Sequence, residues 1–154
     1  MKAQKLFLIF ITLCLVTGCS VFESAYAETI GEKIITSFDN KDADKLSDLF
    51  CDEIKSKATL SQEIESAFLA YKGSSVSYNI TDKGYVEKSL REGRTVMKRY
   101  TPNIDNIVTD DGNEYYIGFT AFEICEYNPD KVGISILVLY DKNGNQLAII
   151  GGSD

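Results

Sequence analysis

Near Ser74 the hydrophobic period of the chain changes, and this limits the folds open to it. Before that point apolar residues recur at helical spacing. Ile30, Ile34, Ile35 and Phe38 form one stripe; Ala43, Leu46, Leu49 and Phe50 form a second; Leu60, Ile64, Ala67, Phe68 and Tyr71 form a third. After it they alternate, as in Val76-Tyr78-Ile80 and in Val132, Ile134, Ile136, Val138 and Tyr140, a strict alternation that should face the core. Helices followed by strands cannot interleave into a parallel α/β sheet. The order predicts an α+β domain, with three N-terminal helices packed on one face of a curved, mainly antiparallel sheet.

Local signals set the expected boundaries. Thr29 with Glu32 reads as a capping box that starts the first helix, and Asp39-Asn40-Lys41 ends it. Thr59 caps the third helix with Gln62 as its partner, and Gly73 stands where a left-handed residue follows a helix. Among the strands, Asp82-Lys83-Gly84 makes a pause and Pro102 an interruption. Turns are expected at 110–113, 128–131 and 141–144.

The first residues read as an export signal. Lys2 and Lys5 precede the apolar run Leu6–Val16, which is too short to span a bilayer. Leu15-Val16-Thr17-Gly18-Cys19 follows, an aliphatic residue and small residues before a cysteine, which is the bacterial lipobox. In that reading residues 1–18 are removed and the Cys19 thiol takes a diacylglyceryl group. Two palmitate-like chains give stable anchoring where one would be marginal. Residues 19–27 then form a tether and 28–154 a single domain. The competing reading is general secretion with cleavage after Ala25-Tyr26-Ala27. Lipidation places the domain on the extracytoplasmic face of the cell membrane.

Charge narrows the partners. The full chain carries −7; without Lys2 and Lys5 it has 14 basic against 23 acidic residues, or −9. Such a chain is repelled by phosphate polyanions, so nucleic acid is not an expected partner, and the lipid rather than surface charge holds it on the membrane. The chain has no histidine. That removes Ser-His-Asp and Cys-His schemes and the commonest metal ligand. No cofactor or metal is expected. Asp39–Asp44 and Asp141–Asn145 suggest calcium loops only superficially and read as a helix cap and a hairpin turn. Cys51 and Cys125 remain, and in an exported protein they are either a disulfide or two buried thiols acting as small apolar residues.

Several sequence features carry a family resemblance. These are the Asp48-Leu49-Phe50 helix end, Phe68-x-x-Tyr71-x-Gly73 leading to Ser77-Tyr78, Tyr115-Tyr116-Ile117-x-Phe119, and Asn128-Pro129-Asp130-Lys131-Val132-Gly133. Over roughly residues 29–150 the chain resembles the uncharacterised lipoprotein family filed as domain of unknown function 5104, with a nuclear transport factor 2-like (cystatin-like) fold. The resemblance implies a cone with a hollow, and no assigned activity. Some enzymes of that superfamily pair a Tyr hydroxyl with an Asp or Glu. Tyr100, Tyr115, Phe119 and Glu123 are the residues expected to line such a pocket here; the alternative is that the tyrosines pack on half-buried sheet faces and Glu123 points to solvent. Three functional classes follow: a non-catalytic module binding an envelope ligand or protein, a pocket enzyme of the isomerase or dehydratase kind, and an assembly protein forming a homodimer. The lack of catalytic signatures favours the first.

Overall fold

A computed structural model describes the backbone of residues 18–152 and the side chains of residues 25–81 and 85–152. The export segment and the Cys19 thiol lie outside the described residues. Four helices come first: α1 (Gly18–Asn40), α2 (Ala43–Asp48), α3 (Asp52–Lys55) and α4 (Leu60–Ala70). Five strands follow: β1 (Ser75–Arg91), β2 (Arg94–Thr109), β3 (Glu114–Cys125), β4 (Gly133–Asp141) and β5 (Gln146–Gly151). They form one open antiparallel sheet in the order β1-β2-β3-β4-β5. The α+β architecture and the change of period at Ser74 therefore hold. Among the described residues, no helix is long and apolar enough to cross a membrane.

Alternation on the strands decides which face the helices cover. Tyr100, Ile104 and Ile107 of β2, Ile117, Phe119 and Ala121 of β3, Leu137 and Leu139 of β4, and Ile150 of β5 are buried. All of these except Tyr100 meet Ile34, Phe38, Leu46, Ile64 and Tyr71 in one core. Each such apolar side chain contributes roughly 1.5–3 kcal/mol on burial. Phe38 anchors the layer by edge contacts to Phe68 (5.3 Å) and Tyr71 (5.2 Å).

Helix boundaries differ from the sequence expectation in two places. The first helix already includes Gly18 and runs through Thr29, so the Thr29–Glu32 pair lies inside a helix; Ala27, assigned to the tether, is buried. Leu46 and Phe50 do not share one helix. The chain leaves α2 at Leu49, and Phe50 forms a parallel bridge with Ile134 of β4 before α3 begins. Ile134 N–H donates to Leu49 O and Cys51 N–H donates to Ile134 O, at 2.9 and 3.0 Å. β4 pairs with β5 only from Ile136 onward, so Ile134 has free backbone groups on that side, and satisfying both outcompetes helix propensity there.

The third helix does start after Thr59, but Thr59 Oγ1 donates to Glu63 Oε1 (2.7 Å) rather than capping a backbone amide. Asp42 caps α2 by accepting from Lys45 N–H (3.0 Å), and Asp141 accepts from Asn143 and Asn145 amides in the last hairpin. Gly73 is left-handed (φ 75), as expected.

The strands are longer than their sequence punctuation suggests. β1 runs through residues 82–84, and β2 runs through Pro102. Between the Thr81–Asn103 and Tyr85–Thr101 pairs, three residues of β1 stand opposite Pro102 alone. A bulge opposite the proline accommodates its missing donor without ending the strand.

Three contacts fix the direction of α1 across the sheet. Asp39 accepts from Ser75 N–H (2.8 Å) at the start of β1. Gly31 lies so close to Ile80 that a Cβ there would stand 2.8 Å from its Cδ1. Tyr26 stacks on Tyr100 at 5.0 Å. Read from Asn40 back toward Gly18, α1 therefore advances toward the Arg91–Arg94 hairpin.

Candidate functional site

Glu123 owes its position to a second bulge. The β2–β3 register steps from Lys98–Ile124 to Arg99–Phe122, so Glu123 is an extra residue with no partner on β2. A bulge re-aims a side chain that strict alternation would send elsewhere. Here it brings the carboxylate to Tyr100 and Lys98, which share one face of β2 at i, i+2. Tyr100 Oη donates to Glu123 Oε2 at 2.6 Å, and Lys98 Nζ meets the same oxygen at 2.7 Å. Lys98 Nζ also lies 5.1 Å from the centre of the Tyr100 ring. Tyr26 of α1 completes the cluster; its hydroxyl donates to Phe122 O at 3.3 Å.

The electrostatics follow from these partners. Burial pushes the Glu123 pKa up, but the hydrogen bonds from Lys98 and Tyr100 and the charges of Lys98 and Lys88 outweigh it, leaving the carboxyl below its ordinary value. Burial likewise opposes the charge on Lys98, yet its bonds to Glu123 and Tyr100 hold its pKa above the ordinary one. Tyr100 is raised, first by burial and then by its bond to Glu123. Tyr26 is pushed up to about 12 by burial, with the charges of Glu123 and Tyr100 adding to it. A general base working near neutrality needs a carboxyl shifted upward, and an oxyanion donor needs a hydroxyl aimed at substrate. Glu123 is shifted the other way, and the Tyr100 hydroxyl is engaged by it.

The four residues expected to line one pocket do not meet. Tyr100 and Glu123 touch, and the Glu123 side chain is 34% exposed, neither deep in a hollow nor fully in solvent. Phe119 is packed in the core. Tyr115 sits eight residues from Glu123, about 26 Å along the strand at ~3.3 Å per residue. Its ring lies 4.9 Å from that of Tyr71, and its hydroxyl accepts from Lys72 N–H (3.1 Å). It belongs to a different neighbourhood, beside grooves of about 280 and 420 Å³ near the Glu114 and Lys142 side chains.

Sequence reasoning missed Lys98 and Tyr26. The Lys98-x-Tyr100 spacing on a strand was the available signal for the first. For Tyr26 there was none, because the residue read as part of a tether. It also missed a groove of about 510 Å³ beside α4, lined by Lys41, Glu65, Phe68, Leu69, Tyr71 and Lys72. Leu69 is 70% exposed there. Lys41 Nζ crosses the end of α4, donating to Phe68 O (3.2 Å) and Tyr71 O (2.6 Å), and lies 4.7 Å from the Tyr71 ring centre. Burial and the neighbouring Lys72 charge lower its pKa.

The thiols of Cys51 and Cys125 are free and buried, so the structure takes the second of the two states open to them. Topology gives the reason. Cys51 flanks Ile134 of β4 on the side away from β3, and Cys125 lies on β3 three residues beyond Phe122, the last residue paired with β4, so the two are at least two strand spacings apart. Two strand spacings are about 9–10 Å. A disulfide requires Cα atoms within about 7 Å.

No curated protein matches the chain. A family match covers residues 33–142, a span that includes Lys98, Tyr100, Tyr115, Phe119 and Glu123. The chain belongs to the family described as domain of unknown function (DUF5104).

Proposed function

We propose that this chain is a non-catalytic binding module of nuclear transport factor 2-like kind, exported and held on the outer face of the cell membrane by a lipid on Cys19. The observation that carries the non-catalytic reading is Glu123. Lys98 and Tyr100 both hold its Oε2, which keeps the carboxylate ionised and engaged. This argues against the isomerase or dehydratase alternative, which needs that carboxyl as a base.

Binding then falls to the surface. The groove beside α4 has the size and character of a small-molecule site: apolar walls from Phe68 and Leu69, with Lys72 at one side to orient a polar end. Planar apolar ligands suit it, since aromatic walls hold flat groups through their faces. The test is a titration of the full chain with the fluorescent anion 1-anilinonaphthalene-8-sulfonate. Saturable binding is expected, and Leu69→Asp should weaken it about tenfold, the equivalent of ~1.4 kcal/mol. Unchanged affinity in Leu69→Asp with the fold intact would remove the groove from the account. Turnover of small acids or ketosteroid-like substrates that vanishes in Glu123→Gln would overturn the non-catalytic reading.

A further inference from the structure

The fold brings two things to one end of the molecule that the sequence keeps far apart. One is the start of α1. The contacts Asp39–Ser75, Gly31–Ile80 and Tyr26–Tyr100 show the helix climbing along β1 toward the β1–β2 hairpin as it is followed back to Gly18. The other is the tip of that hairpin, which reverses at Glu92 and Gly93 with φ of 53 and 78. Cys19 lies seven residues before Tyr26, about 10 Å along a helix. The tip lies six residues before Tyr100 on β2, about 20 Å along a strand. The hairpin therefore reaches as far toward this end as the lipid-bearing residue, and further.

The composition of the tip differs from the rest of the chain. Leu90 is 69% exposed, and Tyr127, near the same end, is 66% exposed. Between Glu87 and Arg99 there are five basic and two acidic residues, and with the β3-side partners Glu123 and Glu126 the excess is one, in a chain of net charge −7. Arg94 is paired with Glu126, Arg99 with Glu87 and Lys98 with Glu123, so the local excess is modest. Exposed Leu and Tyr with Arg and Lys beside them are the residues that settle at a membrane–water interface, where the rings sit at headgroup level and the cations reach phosphates.

From these observations we infer that the β1–β2 hairpin tip docks on the membrane itself, with anionic lipid phosphates as its partner, and so fixes the orientation of the domain. The inference rests on the anchoring through Cys19 proposed above. Cys19 is not on a free tether, because it lies in the same helix that packs in the core from Ala27 onward. The end bearing the Asp141–Asn145 turn then points away from the bilayer.

The experiment uses the full chain, purified after lipidation and reconstituted into phosphatidylcholine–phosphatidylglycerol vesicles. An environment-sensitive nitrobenzoxadiazole probe is attached at Leu90→Cys or, as the control at the opposite end, at Asn143→Cys. The docked orientation gives a blue-shifted emission at position 90 that spin-labelled lipids quench, and a water-like, unquenched emission at position 143. Flotation with the vesicles together with a water-like signal at position 90 overturns the docking while leaving the anchor intact. Failure of the wild-type chain to float overturns the anchor and the docking together.

Discussion

Glu123 is under two opposing influences, and their balance sets its chemistry. Burial disfavours its charge; Lys98 and Tyr100 favour it and win. A carboxyl whose folded pKa is depressed stabilises the fold above its unfolded pKa of about 4.3, and that contribution is lost as pH falls through the lower folded value. Glu123→Gln should therefore cost about 1–2 kcal/mol in urea denaturation at pH 7, the scale of a hydrogen bond to a charged group, discounted for exposure. Near pH 3 the gap between wild type and variant should close. A gap that persists at that pH would mean Glu123 acts through packing alone. Tyr26 gives the alkaline counterpart. Its pKa of about 12 is raised, so its contribution is complete below about pH 10, the unfolded value, and is lost as pH climbs toward 12. Absorbance at 295 nm should show a tyrosine titrating near pH 12, and Tyr26→Phe should remove that step.

At the scale of elements, the Phe50 segment shows how tertiary structure overrides a helical stripe. Leu46 and Phe50 are both in the core, as their spacing suggested, but they reach it from a helix and from a β-bridge. Gly133 permits the approach: its φ is 121, and an added Cβ would stand 2.8 Å from Cys51 N. Gly133→Ala combines backbone strain with a backbone clash and should destabilise by roughly 2–4 kcal/mol, read as a lower urea midpoint at unchanged slope. A change under 0.5 kcal/mol would show that the segment can move away freely.

The same examples show what was legible in the sequence. Periodicity reported the helical core stripes and the order of helices before strands, but it misled on β4: Val132, Ile134, Ile136, Val138 and Tyr140 alternate as a core face, yet a register shift between Ile134 and Ile136 changes the parity, so Leu137 and Leu139 are buried with Ile134 while Val132 is exposed. It is silent on partners that arrive from distant sequence. The bridge at Phe50, the bulge that turns Glu123 toward Lys98, and the stacking of Tyr26 on Tyr100 each depend on a register that two strands set together. Pro102 and residues 82–84 read separately as breaks, yet they face each other in one bulge and cancel. The expected pocket failed for a related reason: alternation places Tyr100, Tyr115 and Phe119 on one face of the sheet, but says nothing of the distance along it.

On the scale of the whole molecule, the sheet separates features that the sequence left open to pairing. Alkylation of the unfolded chain without reductant should add two groups, one each at Cys51 and Cys125, beyond any at the N-terminus; a mass two hydrogens short with neither labelled would mean a bridge and a different packing around β4. The described part of α1 runs from Gly18 past Cys19 into the core without a break. Both the proposed binding role outside the membrane and the docked hairpin depend on one covalent event at Cys19. The intact mass of the protein extracted from its membrane tests it. The account predicts a chain that begins at Cys19, carries a diacylglyceryl group, and loses both in Cys19→Ser. A wild-type chain that instead begins at Glu28, with no added lipid, would contradict it.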